Sequence, residues 1–460
     1  MTFPTDPVAW AVKAFQDGRD DTISMYDEYL SGKQPIAFAT VSFRETFGKL
    51  FDSFAYNRLS SVIDAHSDRM QVSGIGANDK TLATLAQQQW DANQMDVREN
   101  EATSDALGFG DGFLIVERHA VTGQVYYWVN DPRQIRVHYS DDRPGHLDLA
   151  AKAWLDTESK HGFLTLYFAD HVEKYVTRHE QSGSSLNIRS AEWTKLERSG
   201  EDQSYSLEIA DTVPVFHLAN NARTSSYGVS EIKLLIPLQD AINYVLMSSM
   251  VATEFSAFAQ KVIMGVKPES EEEAQQFKEF QVGIRRLLTL FDENAKIGEF
   301  SPTNIAQYID LAEFWDTTVS RISRVPVHYL KQTGTQESGE AKRLNEQPFI
   351  SKIIDRQRSF GYTYGEAVRY GLRLAGKNVE PGDIRINWQD AAPSSDQETW
   401  ELIRLKQSAG MSFESAVREA GYEPDQIALL LSERDADQER RLRAFGAGDI
   451  DAFPGSGRMA

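Results

Sequence analysis

The side chains able to carry chemistry are spread unevenly along this chain. Its 460 residues include nine histidines and 68 aspartates and glutamates, but no cysteine. Thiol nucleophiles, disulfides and cysteine-bound metals are therefore excluded. Six of the nine histidines fall between His119 and His179. They sit singly in stretches rich in β-branched and aromatic residues. None forms the i, i+3 or i+4 pair that puts two imidazoles on one helix face, and HExxH is absent. His171 and His179 flank a hairpin-like stretch, and His66 lies near the end of an amphipathic segment; all three read as structural histidines. The run Glu269–Glu273 reads as a solvated helix start, where carboxylates suit the helix dipole. Two glycine-bearing stretches invite a phosphate-loop reading and fail it. GFGDG at 108–112 precedes a strand, whereas a dinucleotide loop precedes a helix. GTQESGEAK lacks the Gly-Lys-Ser/Thr ending, and Glu340 would repel phosphate. No catalytic, cofactor-binding or metal-binding residue is assigned.

Charge narrows the classes further. The formal net charge is −20, the wrong sign for a protein that grips nucleic acid through its phosphates. It suits solubility, or a surface past which DNA must slide without sticking. Hydrophobic residues make up 41% of the chain, enough for a sizeable core and two to four structural units. No run of 18 apolar residues exists, so no membrane span is expected. The first residues, MTFPTDPVAWAVKAFQDGRDD, lack the pattern of a secretory signal.

The elements that must position these residues come in a definite order. Two short helical patterns occupy 6–31, an amphipathic helix is expected over 42–70, and another helical stretch over 79–108. From Phe113 to His217 the period drops to two, and short runs such as FLIVERH, QVYYWV and FLTLYFA predict an antiparallel β region. Ser225–Lys261 then reads as one long helix, with Ser230 as N-cap and Glu231 in its first turn. Some 30 residues would make a rod of roughly 45 Å. Leu234, Leu238, Ile242, Val245 and Met250 fall on one side of it and Phe255, Phe258 and Val262 beyond, so its apolar surface needs more than one partner. A compact insertion at 266–303 holds an acidic helix, PESEEEAQQFKEF, and two strand-like pieces, RLLTLF and KIGEF. A second helix over 304–325 carries Ile305, Tyr308, Ala312, Trp315, Val319 and Ile322 at 3,4,3,4,3 spacing. Ile309, Leu311 and Phe314 lie off that seam. The helix stops at Val325-Pro326. A polar loop, KQTGTQESGE, precedes a helix to about Ala375 in which Pro348 predicts a kink near Glu346. DIRINW at 383–388 reads as a strand returning to the β region. The part from 394 to 445 is helical. FESAVREAGYEPDQIALLLSERD looks like a helix-turn-helix, but it carries Glu423, Asp425, Glu433 and Asp435 where base-reading side chains would be needed, so it reads as a packing unit.

Three stretches in this order resemble a known family. Gly228, Ser230 and Glu231, followed by IPLQDAIN at 236–243 and ATEFSAFAQ at 252–260, resemble the stem helix of phage portal proteins of the siphophage Gp6-like family. IGEFSPTNIAQYIDLAEFWDTTVSRISRVPVHYL at 297–330 is similar to that family's strand, Ser-Pro, amphipathic helix and Pro-Xaa-His-Tyr-Leu ending. SGEAKRLNEQPFISKI at 338–353 is similar to its segment after the loop, and YDEYLSGKQPIAF also fits. The resemblance covers most of residues 20–390.

What the resemblance implies is an α+β fold, mainly α, divided into wing, stem, clip, tunnel loop and helical crown. The wing would be 1–227 with 376–390, the stem 228–262 and 304–325, the clip 263–303, the tunnel-loop region 326–340, the kinked helix 341–375, the crown 391–445, and 446–460 a disordered tail. The tunnel loop would comprise Lys331, Gln332, Thr333, Gly334, Thr335, Gln336, Glu337, Ser338 and Gly339, with Lys331 either touching phosphate or solvated. Stem packing would fall to Leu238, Ile242, Leu246, Phe255, Phe258, Tyr308, Trp315, Val319 and Ile322. The clip would present Glu271, Glu272, Glu273, Asp292 and Glu293. The chain would form a homo-oligomeric ring, a dodecamer in the family's usual form, at the portal vertex of the capsid in the virion, after assembly in the host cytoplasm. Double-stranded DNA would pass through its channel without sequence specificity. Terminase, a head-completion adaptor, the major capsid protein and a scaffold protein would be its partners; no cofactor, metal or membrane is implied. A metal-dependent packaging enzyme and another ring-forming capsid component are the competing readings.

Overall fold

A computed structural model describes residues 4–35, 56–183, 185–196, 204–257, 261–264, 288–290, 297–299, 304–330, 339–392, 396–420, 422, 426–436 and 440. The chain divides into two compact units, Met1–Trp388 and Gln389–Ala460.

The first unit opens with α1 (Pro7–Ala14), α2 (Arg19–Leu30) and α3 (Leu59–Ser67). The Asp6 carboxylate caps α1 by accepting from the Ala9 amide. The helix expected over 42–70 is not continuous: residues 56–58 are not helical. Asn57 Oδ1 accepts from the amides of Leu59 and Ser60 at 3.0 and 3.2 Å, and a fresh helix starts there. Residues 36–55 lie outside the described part. Next come β1 (Val72–Ala77), α4 (Lys80–Ala92) and α5 (Met95–Phe109). The helical stretch over 79–108 is thus two helices, divided at Asn93-Gln94, where Gln94 takes φ 54°.

Nine strands follow: β2 (Asp111–Arg118), β3 (Val125–Asn130), β4 (Ile135–Tyr139), β5 (Leu147–Leu155), β6 (Gly162–Tyr167), β7 (His171–Thr177), β8 (Trp193–Lys195), β9 (Tyr205–Ser206) and β10 (Val215–Ala219). They form two sheets, one in the order β10-β2-β3 and one in the order β4-β5-β6-β7-β8 with β9 on β7. Every pairing within them is antiparallel, as the alternating runs predict. The pleat sorts side chains between two cores. Ala150 of β5 joins Phe113, Ile115, Ile135, Val137 and Val215, which unite the two sheets. Leu149, Ala151 and Ala153 of the same strand face the opposite way, onto Ala11 and Phe15 around α1. The free edge of β3 is closed by one side chain. Asn93 Oδ1 accepts from the Tyr127 amide at 3.1 Å, and its Nδ2 donates to the Val125 carbonyl at 3.0 Å.

The long helix α6 runs Ile236–Ala257, and β11 (Lys261–Met264), β12 (Leu288–Leu290) and β13 (Ile297–Glu299) make a small sheet in the order β12-β11-β13. Helix α7 (Ala306–Ser323) comes back alongside α6. The short α8 (Val327–Leu330), the long α9 (Gly339–Leu374) and β14 (Ile384–Trp388) complete the unit. Three expectations change here. The long helix starts at 236 rather than 230. Lys261 and Val262, expected on it, are strand residues. β14 pairs antiparallel with β1 and not with the strands of 113–217. Helix α9 runs on through Pro348 without interruption.

The second unit contains α10 (Asp396–Ser408), α11 (Phe413–Glu419) and a further helical stretch over 426–436. Ile403, Ala416, Val417 and Ile427 are its buried centre. Ser412 caps α11, accepting from the Ser415 amide.

Candidate functional site

The three stretches that resemble the portal family meet at one buried junction. The first is Gly228–Glu231, a knot that precedes α6 rather than its N-cap. Asp111 Oδ1 accepts from the Gly228 amide and from His217 Nε2, each at 2.7 Å, and Asp111 also pairs with Arg19. His217 Nδ1 meets Tyr139 Oη at 2.7 Å. The Asp–His–Tyr order resembles a proton relay, but Asp111 is fully buried and its oxygens are occupied by structural donors. Burial opposes the charge of Asp111; hydrogen bonding and charge from His217, with Arg19 beside it, outweigh that and lower its pKa. The arrangement closes the chain against β2. A Cβ on Gly228 would stand 1.9 Å from the Gly110 carbonyl oxygen, so only glycine fits. Ser230 Oγ donates to the Gly108 carbonyl at 2.5 Å and accepts from the Ile232 amide at 3.2 Å.

Glu231 is the hub. Lys352 Nζ lies 2.6 Å from its Oε2, while Arg356 Nη2 and Asn220 Nδ2 each lie 3.1 Å from its Oε1. Burial would raise this carboxyl; the charges of Lys352, His66 and Arg356 and the Lys352 hydrogen bond outweigh it and bring the pKa to about 2. Lys352 also donates to the Ser323 carbonyl at 3.0 Å, at the end of α7. The next residue, Arg324, takes φ 66° and ends the helix. Beyond it, His328 Nε2 lies 3.1 Å from Glu346 Oε1. His66, wholly buried, stacks edge-on against Phe349 at 5.1 Å, and burial together with Lys352 lowers its pKa to about 4.

The two long helices are anchored by polar side chains near the same place. Gln239, Asp240 and Asn243, which break the apolar pattern of α6, are all buried. Tyr29 Oη donates to Asp240 at 2.9 Å, and the Arg58 amide donates to Gln239 at 2.8 Å. Arg58 then holds Asp316 of α7 through two parallel bonds of 2.9 Å. The apolar side chains divide into two sets. Ile242, Val245, Met247 and Val319 are buried, and Leu238, Leu246, Tyr308 and Trp315 are half-buried. Leu234, Ile309, Phe314 and Ile322 are 71, 55, 57 and 46% exposed. Ile322 therefore leaves the expected seam, and Ser323 takes the inward place. Phe255 lies on α6, in a part whose side chains are not described, and Phe258 lies outside the described residues. So do Glu271, Glu272, Glu273, Asp292 and Glu293, and Lys331 to Ser338; Gly339 is the first residue of α9.

Sequence reading missed Lys352, Arg356, Asn220, Asp111, His217 and the Arg58–Asp316 pair as parts of the site. The available signal was a charge beside apolar residues, as in GVSEI and in PFISKI. Partners more than 100 residues away gave no local cue.

A sheet-built body that roots two paired helices, whose outer sides keep large apolar residues uncovered, defines a subunit of a multi-copy assembly. The family model described as phage portal protein, SPP1 Gp6-like, matches residues 55–440. The portal protein of Mycobacterium phage L5 is 26% identical over 395 residues, covering 82% of this chain and 77% of its own. That of Mycobacterium phage D29 is 27% identical over 397 residues with the same coverage. A solved chain from the virion of a native gene transfer agent particle aligns over 88% of this chain and 94% of its own, at TM-score 0.46 and 14% identity, too slight a likeness to argue from. The chain belongs to the phage portal protein family, SPP1 Gp6-like, the head–tail connectors.

Proposed function

We propose that copies of this chain close into a ring, twelve in the family's usual form, at one capsid vertex, and that double-stranded DNA is packaged and ejected through its channel. In this reading α6 and α7 are the stem, 263–303 the clip on which terminase and the head-completion adaptor dock, and Lys331–Ser338 a loop facing the channel. The assignment of wing, kinked helix and crown follows the boundaries given above. The role is structural, without a catalytic step. The protein assembles in the host cytoplasm with the major capsid and scaffold proteins.

The observation that carries the ring is the exposed apolar set on α6 and α7. Side chains such as Met250 and Phe314 gain from burial, and among the described residues the inner side of the helix pair is already filled, which leaves a neighbouring copy to offer it. Heterologous contacts between identical copies generate rings when the rotation closes. Twelve copies at −20 each give about −240, which disfavours trapping of DNA on the wall. Electron microscopy of the purified chain, with mass measurement across protein and salt concentrations, tests the proposal. Rings with a central channel are expected; monomers and dimers under every condition would overturn it.

A further inference from the structure

We infer that Lys352 is a positioning residue that joins the chain before the first stem helix to the end of the second, so that one ammonium group on α9 bridges both stem roots, with Arg356 of the same helix as a second tie to the first. The inference rests on reading α6 and α7 as the stem. Its support is geometric. Lys352 Nζ is 2.6 Å from Glu231 Oε2, five residues before α6, and 3.0 Å from the carbonyl of Ser323, the last residue of α7. Its side chain is 12% exposed, and that of Glu231 9%.

The two ties differ in what backs them up. Glu231 keeps Arg356 and Asn220 if Lys352 is removed. Lys352 is the partner seen on the Ser323 carbonyl among the described contacts, which lies at the negative end of the α7 dipole. An ammonium on a four-carbon stem has three donors and reaches two acceptors on different elements at once. The root of α6 and the tip of α7 thus move with α9, and the spacing of the helix pair that would face the channel is set where they are joined. Neither Glu231 nor Ser323 reaches the other element without this lysine in any contact of the described structure.

The test is hydrogen exchange of the full-length chain, read on peptides covering the start of α6 and the end of α7, with β5 and β6 as an internal reference. K352M keeps the length of the side chain and removes the charge. Exchange is expected to rise at least tenfold at the end of α7 and by about two- to threefold at the start of α6, where Arg356 and Asn220 still hold Glu231, with the β5–β6 reference within twofold of the parent. K352R is expected to return both ends to within threefold. E231Q, which leaves the Ser323 tie in place, is expected to accelerate the α6 end alone. No rise at the end of α7 in K352M, a rise larger at the start of α6 than at the end of α7, or a uniform rise across the reference in both K352M and the milder K352Q, overturns the inference. Ring formation by the parent chain is scored on the same samples. Absence of rings removes the portal-ring reading and leaves the exchange result standing.

Discussion

Phe314 and Val319 stand five residues apart on α7 and face opposite ways, which makes a matched pair of substitutions informative. Phe314 is 57% exposed and Val319 is 0% exposed. A phenylalanine side chain has roughly 200 Å² to bury, so the uncovered share is about 110 Å². At about 25 cal/mol per Å², covering it against a neighbour contributes about 3 kcal/mol per junction. Phe314→Asp removes that gain and places a carboxylate in the contact, whose desolvation adds to the cost. About 3 kcal/mol is a factor on the order of 100 in each association constant. The isolated subunit loses little, because the side chain already meets water. The same carboxylate at Val319 must be buried unpaired and costs several kcal/mol of folding stability. The assay is denaturant unfolding of each variant beside mass photometry at micromolar concentration. Phe314→Asp is expected to unfold within about 1 kcal/mol of the parent, as exposed positions do, and to stay monomeric; Val319→Asp is expected to lose the folded state. Rings of Phe314→Asp at the parent's concentration would refute the use of exposed stem side chains as the ring contact.

Two further outcomes follow from the body of the first unit. Glu99 is buried, with Oε1 accepting from the Val72 amide and Oε2 unpartnered, and burial raises its pKa to about 7 from an ordinary 4.5. The folded form therefore holds its proton more tightly than the unfolded chain, and stability is lost as pH rises through 7. The shift corresponds to about 3 kcal/mol; Glu99→Gln is expected to reduce the slope of the stability–pH curve between about pH 4.5 and 7, and an unchanged slope in urea titrations would count against a buried carboxyl there. Gly228→Ala forces a methyl group into the Gly110 carbonyl, 1.9 Å from the ideal Cβ position. A loss of at least about 2 kcal/mol is expected from the unfolding midpoint, and a neutral result would mean that the knot before α6 yields freely.

Local pattern carried the elements, and distant charge carried the junction. FLIVERH and QVYYWV were legible as strands from their β-branched and aromatic residues; β2 is buried on both faces, with Phe113 and Ile115 in the core between the sheets, while β3 buries Val125 and Tyr127 and leaves Trp128 exposed. The paired helices were legible from 3.6-residue periodicity, but their ends were not. Ser230 and Glu231 look like a helix start in isolation; Glu231 instead serves Lys352 and Arg356, some 120 residues on, and the helix begins at Ile236, one residue before Pro237. β1 escaped notice because VSGIGA is short and holds two glycines, and its partner β14 lies about 300 residues away. The start of α3 after Asn57 was hidden too, since apolar spacing runs on across a point where one amide side chain takes the first helix amides. Ile322 fitted a coiled-coil spacing, but it is 46% exposed and the adjacent Ser323 takes the buried place at the end of α7.

Asn93 has a meaning for assembly that its two hydrogen bonds do not announce. By occupying the Tyr127 amide and the Val125 carbonyl it denies β3 the two groups that an incoming strand would need first. An exposed edge gives each copy a second kind of stickiness, one that adds strands without counting them. Contacts between helices repeat at a fixed rotation and stop when the circle is complete, whereas strand addition has no last member. For a ring of fixed number, other modes of association must be silent, and Asn93, with the helices packed on β3, contributes to that silence at the margin of this sheet.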